Sequence, residues 1–358
     1  MNAPFRSAAA RLSMADLRDP SELQRIEAFV RGHPQATVFH RPGWLLASAA
    51  GTGNRAQALV AERGGELAGY LPLTEIHSPL FGRMLASSGF GVGGGLLLVN
   101  PKHAAAMFAA LEELALRLSC PAIELRGGAL PLRRAGWTIK QDSHCGFVQS
   151  LASDDEAQLT QIPRKQRAEV RKGLAADLTV TVGTSRTDRT AHYAVYAESV
   201  RNLGTPVFPA ALFEAVLDTF GDAADILTVW NREHPVASVL SLYHDGAVLP
   251  YWGGGTNAAR RLRANDRMYY ELMLHARRRG CSQFDFGRSK TLSGAYDFKR
   301  NWGFDPEPLS YAQWTAPGAA SRDADPTSAR HSALIVLWKR LPLRLTNLIG
   351  PMISRGLG

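Results

Sequence analysis

Two stretches of this 358-residue chain gather residues suited to an anionic, activated substrate. The first is YWGGGTNAARRLRANDRMYYELM, from Tyr251 to Met273. A β-rich run, Val248 to Trp252, ends in Gly253, Gly254 and Gly255, where missing side chains let backbone N–H groups approach a ligand closely. Arg260, Arg261 and Arg263 follow, and a helix opens near Asn265 and Asp266. Free N–H groups at a helix start with arginines beside them bind anions, and Asn265 or Asp266 would serve equally as the cap of that helix. Neither G-x-x-x-x-G-K-[ST] nor G-x-G-x-x-G is present, which excludes a P-loop and a Rossmann fingerprint.

The second stretch is FDFGRSKTLSGAYDFKRNWGF, Phe284 to Phe304. An alternating strand ends at Gly287, and Arg288, Lys290 and Lys299 follow with Ser289 and Ser293, all suited to phosphate or carboxylate. Tyr296, Phe298, Trp302 and Phe304 lie among them. A solvated basic loop gains nothing from such aromatics, so they point to a partly buried, shaped pocket. Stacking on nucleic acid would use the same residues. Arg201, in the loop RNLGTP after a helix-like run, is a further cation, although a plain helix–helix turn explains that loop as well. Arg164, Arg167 and Arg171 share one face of a helix starting at Pro163, either an anion-binding face or a solvated one. There is no G-x-S-x-G elbow, no H-E-x-x-H and no cysteine with an evident base, so serine, zinc and thiol chemistry are poor candidates.

The elements that must hold these residues form a pattern that occurs twice. Ala58 to Leu98 and Ile226 to Arg261 each read as strand, polar turn (Gly64-Gly65, Arg232-Glu233) and second apolar run. Each reaches a glycine triplet, Gly93–Gly95 or Gly253–Gly255, then a helix and a strand. Two copies of one mixed α/β domain is the economical reading. Between the copies a short helix follows Asp154, and a second runs from Pro163 to a stop at Gly173. Residues 316–330 are small, polar and proline-bearing, the composition of a linker. The apolar tail beyond carries Lys339, Arg340, Arg344 and Arg355, and suits either an interfacial element on an anionic membrane or a core-docking segment.

Composition fits these elements: 45% hydrophobic and 20% charged residues describe a globular chain, and a net charge of +9 favours an anionic partner. The three scattered cysteines suit a reducing compartment. The start has no signal-like apolar core and no run is long enough to span a bilayer, so the expected location is cytoplasmic, with contact at the inner membrane face through the tail.

The residues GGGT, ANDRMYYELM, FDFGRSK and YDFKRNWGF, with IPRKQRAEVRKG and SVRNLGTPVFP upstream, resemble FemAB-like proteins, and more narrowly the group associated with PEP-CTERM/exosortase sorting and exopolysaccharide loci. The likeness runs from about Val38 to Tyr311 and is sharper in the second half. It implies an α/β fold of two tandem GNAT-type acyltransferase domains with mixed, mostly antiparallel sheets. The domains expected are 1–153 with a degenerate donor site, 154–315 with the active one, and 316–358 as linker and tail. It also implies acyl or aminoacyl transfer to an amine or hydroxyl of an envelope or exopolysaccharide precursor, with acyl-CoA or aminoacyl-tRNA as co-substrate and no tightly bound cofactor.

By that likeness Gly253, Gly254, Gly255, Arg260, Arg261 and Asn265 would take the donor. Arg201, Tyr269, Arg288, Lys290, Tyr296 and Lys299 would take an anionic small-molecule or lipid-linked acceptor, and Lys299 matches the phosphate-binding lysine. Asp266, Glu271 or Asp285 would act as base. The alternative is a non-catalytic binding or scaffold protein of the same fold.

Overall fold

Each of the two glycine-bearing runs folds as three antiparallel strands, a helix and a further strand that lies parallel to the third. The computed structural model describes residues 10–320 and 329–358; the middle of the expected linker, 321–328, lies outside them. The chain forms two interleaved units, one of Met1–Gln141, Ser310–Asp325 and Met352–Gly358, the other of Asp142–Leu309 and Pro326–Pro351.

The first unit contains β1 (Arg11–Met14), α1 (Pro20–Gly32), α2 (Pro42–Thr52), β2 (Arg55–Arg63), β3 (Glu66–Ser78), β4 (Gly82–Ser87), β5 (Leu97–Leu98), α3 (Ala104–Arg117) and β6 (Ala122–Arg126). β7 (Trp137–Gly146) then carries the chain out of it. Strands β2, β3 and β4 pair antiparallel, and β4 pairs parallel with β6 over Met84–Ala86. β3 is buried from Leu67 to Ile76. Leu71, Leu73, Leu85, Leu111 and Leu125 pack into one core with Met107 and Phe108 of α3.

The second unit runs through β8 (Val148–Ser150), α4 (Asp155–Gln161), α5 (Arg164–Ala175), β9 (Thr179–Gly183), α6 (Arg186–Leu203) and α7 (Ala210–Phe220). Next come β10 (Ala224–Asn231), β11 (His234–His244), β12 (Ala247–Gly255), α8 (Asn257–Leu262), α9 (Ala264–Arg278), β13 (Gln283–Asp285), β14 (Ser289–Lys290) and α10 (Gly294–Asn301). β15 (Glu307–Thr315) leads back to the first unit, and α11 (Ala329–Arg340) and α12 (Leu343–Ser354) follow. The sheet order is β8-β13-β12-β11-β10-β9. Along β10 and β11 the side chains alternate, so Leu227, Val229, Ala237 and Val239 meet Met268, Leu272 and Met273 of α9 in one core.

Two local expectations change. α5 does not stop at Gly173 but continues to Ala175. A Cβ on Gly173 would lie 2.7 Å from the Arg263 carbonyl oxygen, so the glycine is there to let α5 and α9 approach. α9 is capped neither by Asn265 nor by Asp266: its N-cap is Arg263 in the left-handed region (φ 54°), with no side-chain cap bond.

Candidate active site

The site residues collect where β12 and β13 part. The two strands are parallel neighbours only at Ala247–Gln283 and Val248–Phe284. β12 then continues to Gly255, paired along one edge with Ala237–Val239 of β11. The chain after β13 instead follows β8, with the Phe286 N–H donating to the Phe147 carbonyl at 2.8 Å. The other edge of Gly253–Gly255 has no strand partner among the described residues.

The three glycines are required by close packing on both faces of β12. A Cβ on Gly254 would stand 2.2 Å from Ser199 Oγ of α6; one on Gly255 would stand 2.4 Å from Asn265 Oδ1 of α9. A Cβ on Gly253 would meet Val239 at 2.9 Å and Tyr269 Oη at 3.4 Å. Helices α6 and α9 therefore lie directly on the strand that ends at the gap. Asn265 Oδ1 is buried with no hydrogen-bond partner, beside Gly255.

The expected anion-binding loop after the triplet is the short helix α8. Its first N–H, on Asn257, is taken by Glu198 Oε1 at 2.9 Å. Arg260 and Arg261 are exposed on α8, while Arg263 pairs with Glu169 at 2.6 Å. Among the three candidate bases, Asp266 accepts a short bond from Gln166 Nε2 (2.5 Å), and burial pushes its carboxyl above the usual range. Asp285 accepts the Gly287 N–H at 2.8 Å and is pushed the same way by burial, against the pull of Lys299. Glu271 faces Arg267 at 3.4 Å, one turn away on α9.

Below the gap lies an aromatic layer. Tyr269 meets Phe286 (4.7 Å between centroids), Phe298 (5.7 Å) and Trp302 (6.1 Å), mostly edge to face. Trp302 and Phe304 are fully buried members of the core, so these two aromatics form its packed floor, where the sequence points to a partly buried, shaped pocket. Burial pushes the Tyr269 phenol up to about 12. Lys299 also turns inward. Its Nζ donates to the carbonyls of Gly287 and Arg288, both at 3.0 Å, and lies 5.3 Å from the Phe147 ring centroid. Burial lowers its pKa to about 8. Two of its three N–H groups are thus committed to the protein's own backbone.

Of the remaining acceptor candidates, Arg288, Lys290 and Tyr296 lie around the turn from β14 into α10, and Arg201 lies on α6. Tyr296 rests edge-on against Phe147 with the Arg300 guanidinium over its ring. Lys290 is held in register opposite His144 by the β14–β7 pairing, and Arg288 directly precedes β14. Arg201 is elsewhere: its Nη1 donates to the Lys339 carbonyl at 3.0 Å, closing the C-terminal end of α11. Gln166 was missed by sequence reasoning. Its signal was there, since Gln166, Val170 and Gly173 form one buried helical stripe with a single polar member.

A central sheet whose third and fourth strands run parallel, part after two residues and carry a helix between them marks an acyltransferase fold of the GNAT kind. Residues 162–300 match the family model described as "Acetyltransferase (GNAT) domain". The chain is similar in structure to FemX, with 16% identity, a TM-score of 0.63, and coverage of 81% of this chain and 95% of that one. It is similar to a tandem GNAT protein from the clavulanic acid biosynthesis pathway (12% identity, TM-score 0.56, 86% and 100% covered). It is also similar to the C-terminal domain of a putative lysylphosphatidylglycerol synthetase from Agrobacterium fabrum (13% identity, TM-score 0.54, 81% and 90% covered). No curated protein matches the sequence. The second unit thus carries a GNAT-type acetyltransferase domain, and the whole has the fold of tandem GNAT proteins.

Proposed function

We propose that the second unit transfers an acyl group from acyl-CoA to an amine or hydroxyl of a cell-envelope or exopolysaccharide precursor. The observation that carries this reading is the parting of β12 and β13 beside Gly253–Gly255, which leaves backbone edge for a thioester donor. Its carbonyl oxygen would be polarised by N–H groups of that edge. The acceptor nitrogen or oxygen attacks the carbonyl carbon, the new C–N or C–O bond forms, and the C–S bond breaks with its electron pair on sulfur. Asp266 or Asp285 takes the proton of the acceptor, and the thiolate is protonated on leaving. Burial raises both carboxyls toward neutral pH, which favours that transfer. Arg260 and Arg261 would meet the donor's phosphates. Arg288, Lys290 and Tyr296 would meet the anionic part of a soluble or lipid-linked acceptor, and Lys299 fixes the turn on which Arg288 sits.

The first unit supports this division of labour. Its triplet is taken up by its own chain: Thr37 Oγ1 donates to the Gly93 carbonyl at 3.2 Å, and His40 Nε2 lies 3.0 Å from that of Gly95. A Cβ on Gly95 would stand 1.9 Å from the Gly127 carbonyl oxygen. We assign it no transfer chemistry. No helix among the described residues is long and apolar enough to cross a membrane. Work at the inner face of a membrane, as a link to exopolysaccharide or PEP-CTERM/exosortase systems implies, would rest on the C-terminal helices.

The test is calorimetric titration with acetyl-CoA and longer acyl-CoAs, followed by thiol release with candidate amine acceptors. Binding that is lost in Gly254→Val supports the reading. If no acyl-CoA binds and an aminoacyl-tRNA is consumed, the donor assignment fails and the transferase stands. The packed aromatic floor favours a second reading, a non-catalytic scaffold; binding of precursor glycans with no turnover of either donor would establish it.

A further inference from the structure

A cavity of about 590 Å³ opens in the second unit between β10, α6 and α7, on the sheet face opposite α9. That volume lies within the usual range for small-molecule sites. Phe213, Leu217 and Ile226 give it apolar walls, and His192 is part of its lining. His192 is 1% exposed; its Nδ1 lies 3.0 Å from Ser238 Oγ, which lies 3.0 Å from Thr228 Oγ1. Its Nε2 is buried with no partner. An orphaned polar atom in a fully buried side chain is costly unless something outside the chain satisfies it.

The hydroxyls decide the tautomer. Thr228 is fully buried and makes no other side-chain bond among the described residues. If His192 Nδ1 donated to Ser238, the serine would donate to Thr228 and the threonine hydroxyl would have no acceptor. The reverse chain, Thr228 to Ser238 to His192 Nδ1, uses every hydroxyl proton and leaves Nε2–H as a donor. Nδ1 faces Ser238 on the sheet, and the ring is part of the cavity's lining. Burial holds the imidazole neutral, pushing its pKa down to about 3.

The cavity is also lined by Arg186 of α6 and Glu214 of α7, both exposed and not paired with each other. Arg189 contributes little charge, since it is tied to Asp218 at 2.7 Å. One available cation and one available anion beside an apolar chamber match a zwitterion. We propose that this cavity binds a free α-amino acid, its carboxylate on Arg186, its ammonium on Glu214 and its apolar side chain ending in an acceptor for His192 Nε2–H. The site is separate from the transfer gap, and does not depend on the transfer reading.

The probe is L-tyrosine, measured against full-length protein by titration calorimetry and saturation-transfer NMR. Tyramine lacks the carboxylate, N-acetyl-L-tyrosine lacks the ammonium and L-phenylalanine lacks the acceptor. Each should bind about tenfold or more weakly than tyrosine, the worth of one hydrogen bond involving a charged or buried partner. Arg186→Glu and Glu214→Gln, both at exposed positions, should weaken tyrosine by a similar factor. His192→Phe should abolish the preference for tyrosine over phenylalanine; if that variant does not fold, the two rim variants decide. The proposal is overturned if tyrosine shows no saturable binding, if tyramine and N-acetyltyrosine bind as well, or if both rim variants bind it as the wild type does.

Discussion

Replacing Lys299 with methionine separates two roles that sequence and structure assign to this side chain. A lysine that binds acceptor phosphate could be lost without harm to the fold. Here Nζ holds the carbonyls of Gly287 and Arg288, and the residue is 9% exposed. Methionine fills similar volume but leaves both carbonyls without that donor, a cost of about 2–4 kcal/mol. The pH dependence adds a second signature. The pKa falls from 10.5 to about 8 on folding, so unfolding takes up a proton between these values. The folded state is therefore penalised below about 8, and the penalty fades as pH rises toward 10.5, for a total of about 3 kcal/mol. A neutral amine still has two N–H groups for the two carbonyls, so the clamp survives deprotonation. Urea denaturation of wild type and Lys299→Met from pH 7 to 10.5 should show a difference in stability that grows with pH; subtracting the variant cancels other titrating groups. At pH 7 the lost clamp and the relieved burial penalty nearly offset, so the test lies in the slope: a difference that stays flat above pH 8, with a raised acceptor KM in the variant, would refute the clamp and restore the anion-binding role.

Gly254→Ala should cost about 1–3 kcal/mol, because its Cβ would overlap Ser199 Oγ at 2.2 Å and Cβ at 2.6 Å. Ser199→Gly in the same chain should recover part of it, since it removes both atoms, and a double-mutant cycle on thermal denaturation measures the coupling. The rate of acyl transfer should rise with pH through a midpoint above the ordinary carboxylate range, since ionisation of a burial-raised carboxyl makes the base. Asp266→Asn should lower kcat by about 10²–10⁴-fold and flatten that limb if Asp266 is the base; an unchanged profile would move the assignment to Asp285.

What was legible in the chain was local. The glycine triplets, the helices behind them and a repeated mixed α/β pattern followed from short runs, and the GNAT-type fold from the family resemblance. Each run also holds a hairpin, since β11 turns at Asp245-Gly246 into β12 and β3 turns before Gly82 into β4. The residues His244-Asp245-Gly246 and His77-Ser78-Pro79 mark the two turns in the sequence. The reason for Gly254 lies on α6, 55 residues earlier by number than the triplet's middle residue, and no periodicity reports a neighbour at that distance. Lys299 shows the same gap. Its spacing beside aromatics fitted a binding site, yet its Nζ lies by the rings of Phe147 and Phe286, and the carbonyls it satisfies belong to a turn whose path is set by pairing with β7 and β8. Interleaving of the units depends on where β15 pairs, Tyr311–Thr315 against Ala122–Arg126, which local sequence does not encode.

The C-terminal helix α12 carries the last prediction, and its orientation is the argument. Thr346 and Gly350 face inward, the latter so closely that a Cβ would lie 3.1 Å from Val207. Three large apolar side chains point outward, Leu345 at 41% exposed, Leu348 at 71% and Met352 at 66%, in one helical stripe, while Leu343, Ile349 and Ile353 are half-buried. A helix in water would be expected to bury that stripe and leave the small polar face outside. Arg344 and Arg355 flank it, and Val336, Leu337, Lys339 and Arg340 of α11 are exposed as well. Four cations near an anionic surface supply about 1 kcal/mol each, and three large side chains entering the interface add a comparable amount. Together they would give reversible attachment that weakens with salt. Full-length protein should co-sediment with vesicles containing phosphatidylglycerol and not with pure phosphatidylcholine, and Leu348→Glu with Met352→Glu should release it without lowering thermal stability. Equal sedimentation of wild type and double variant would refute this. If instead the wild type forms a dimer that the variant dissolves, the stripe faces a second copy and not lipid.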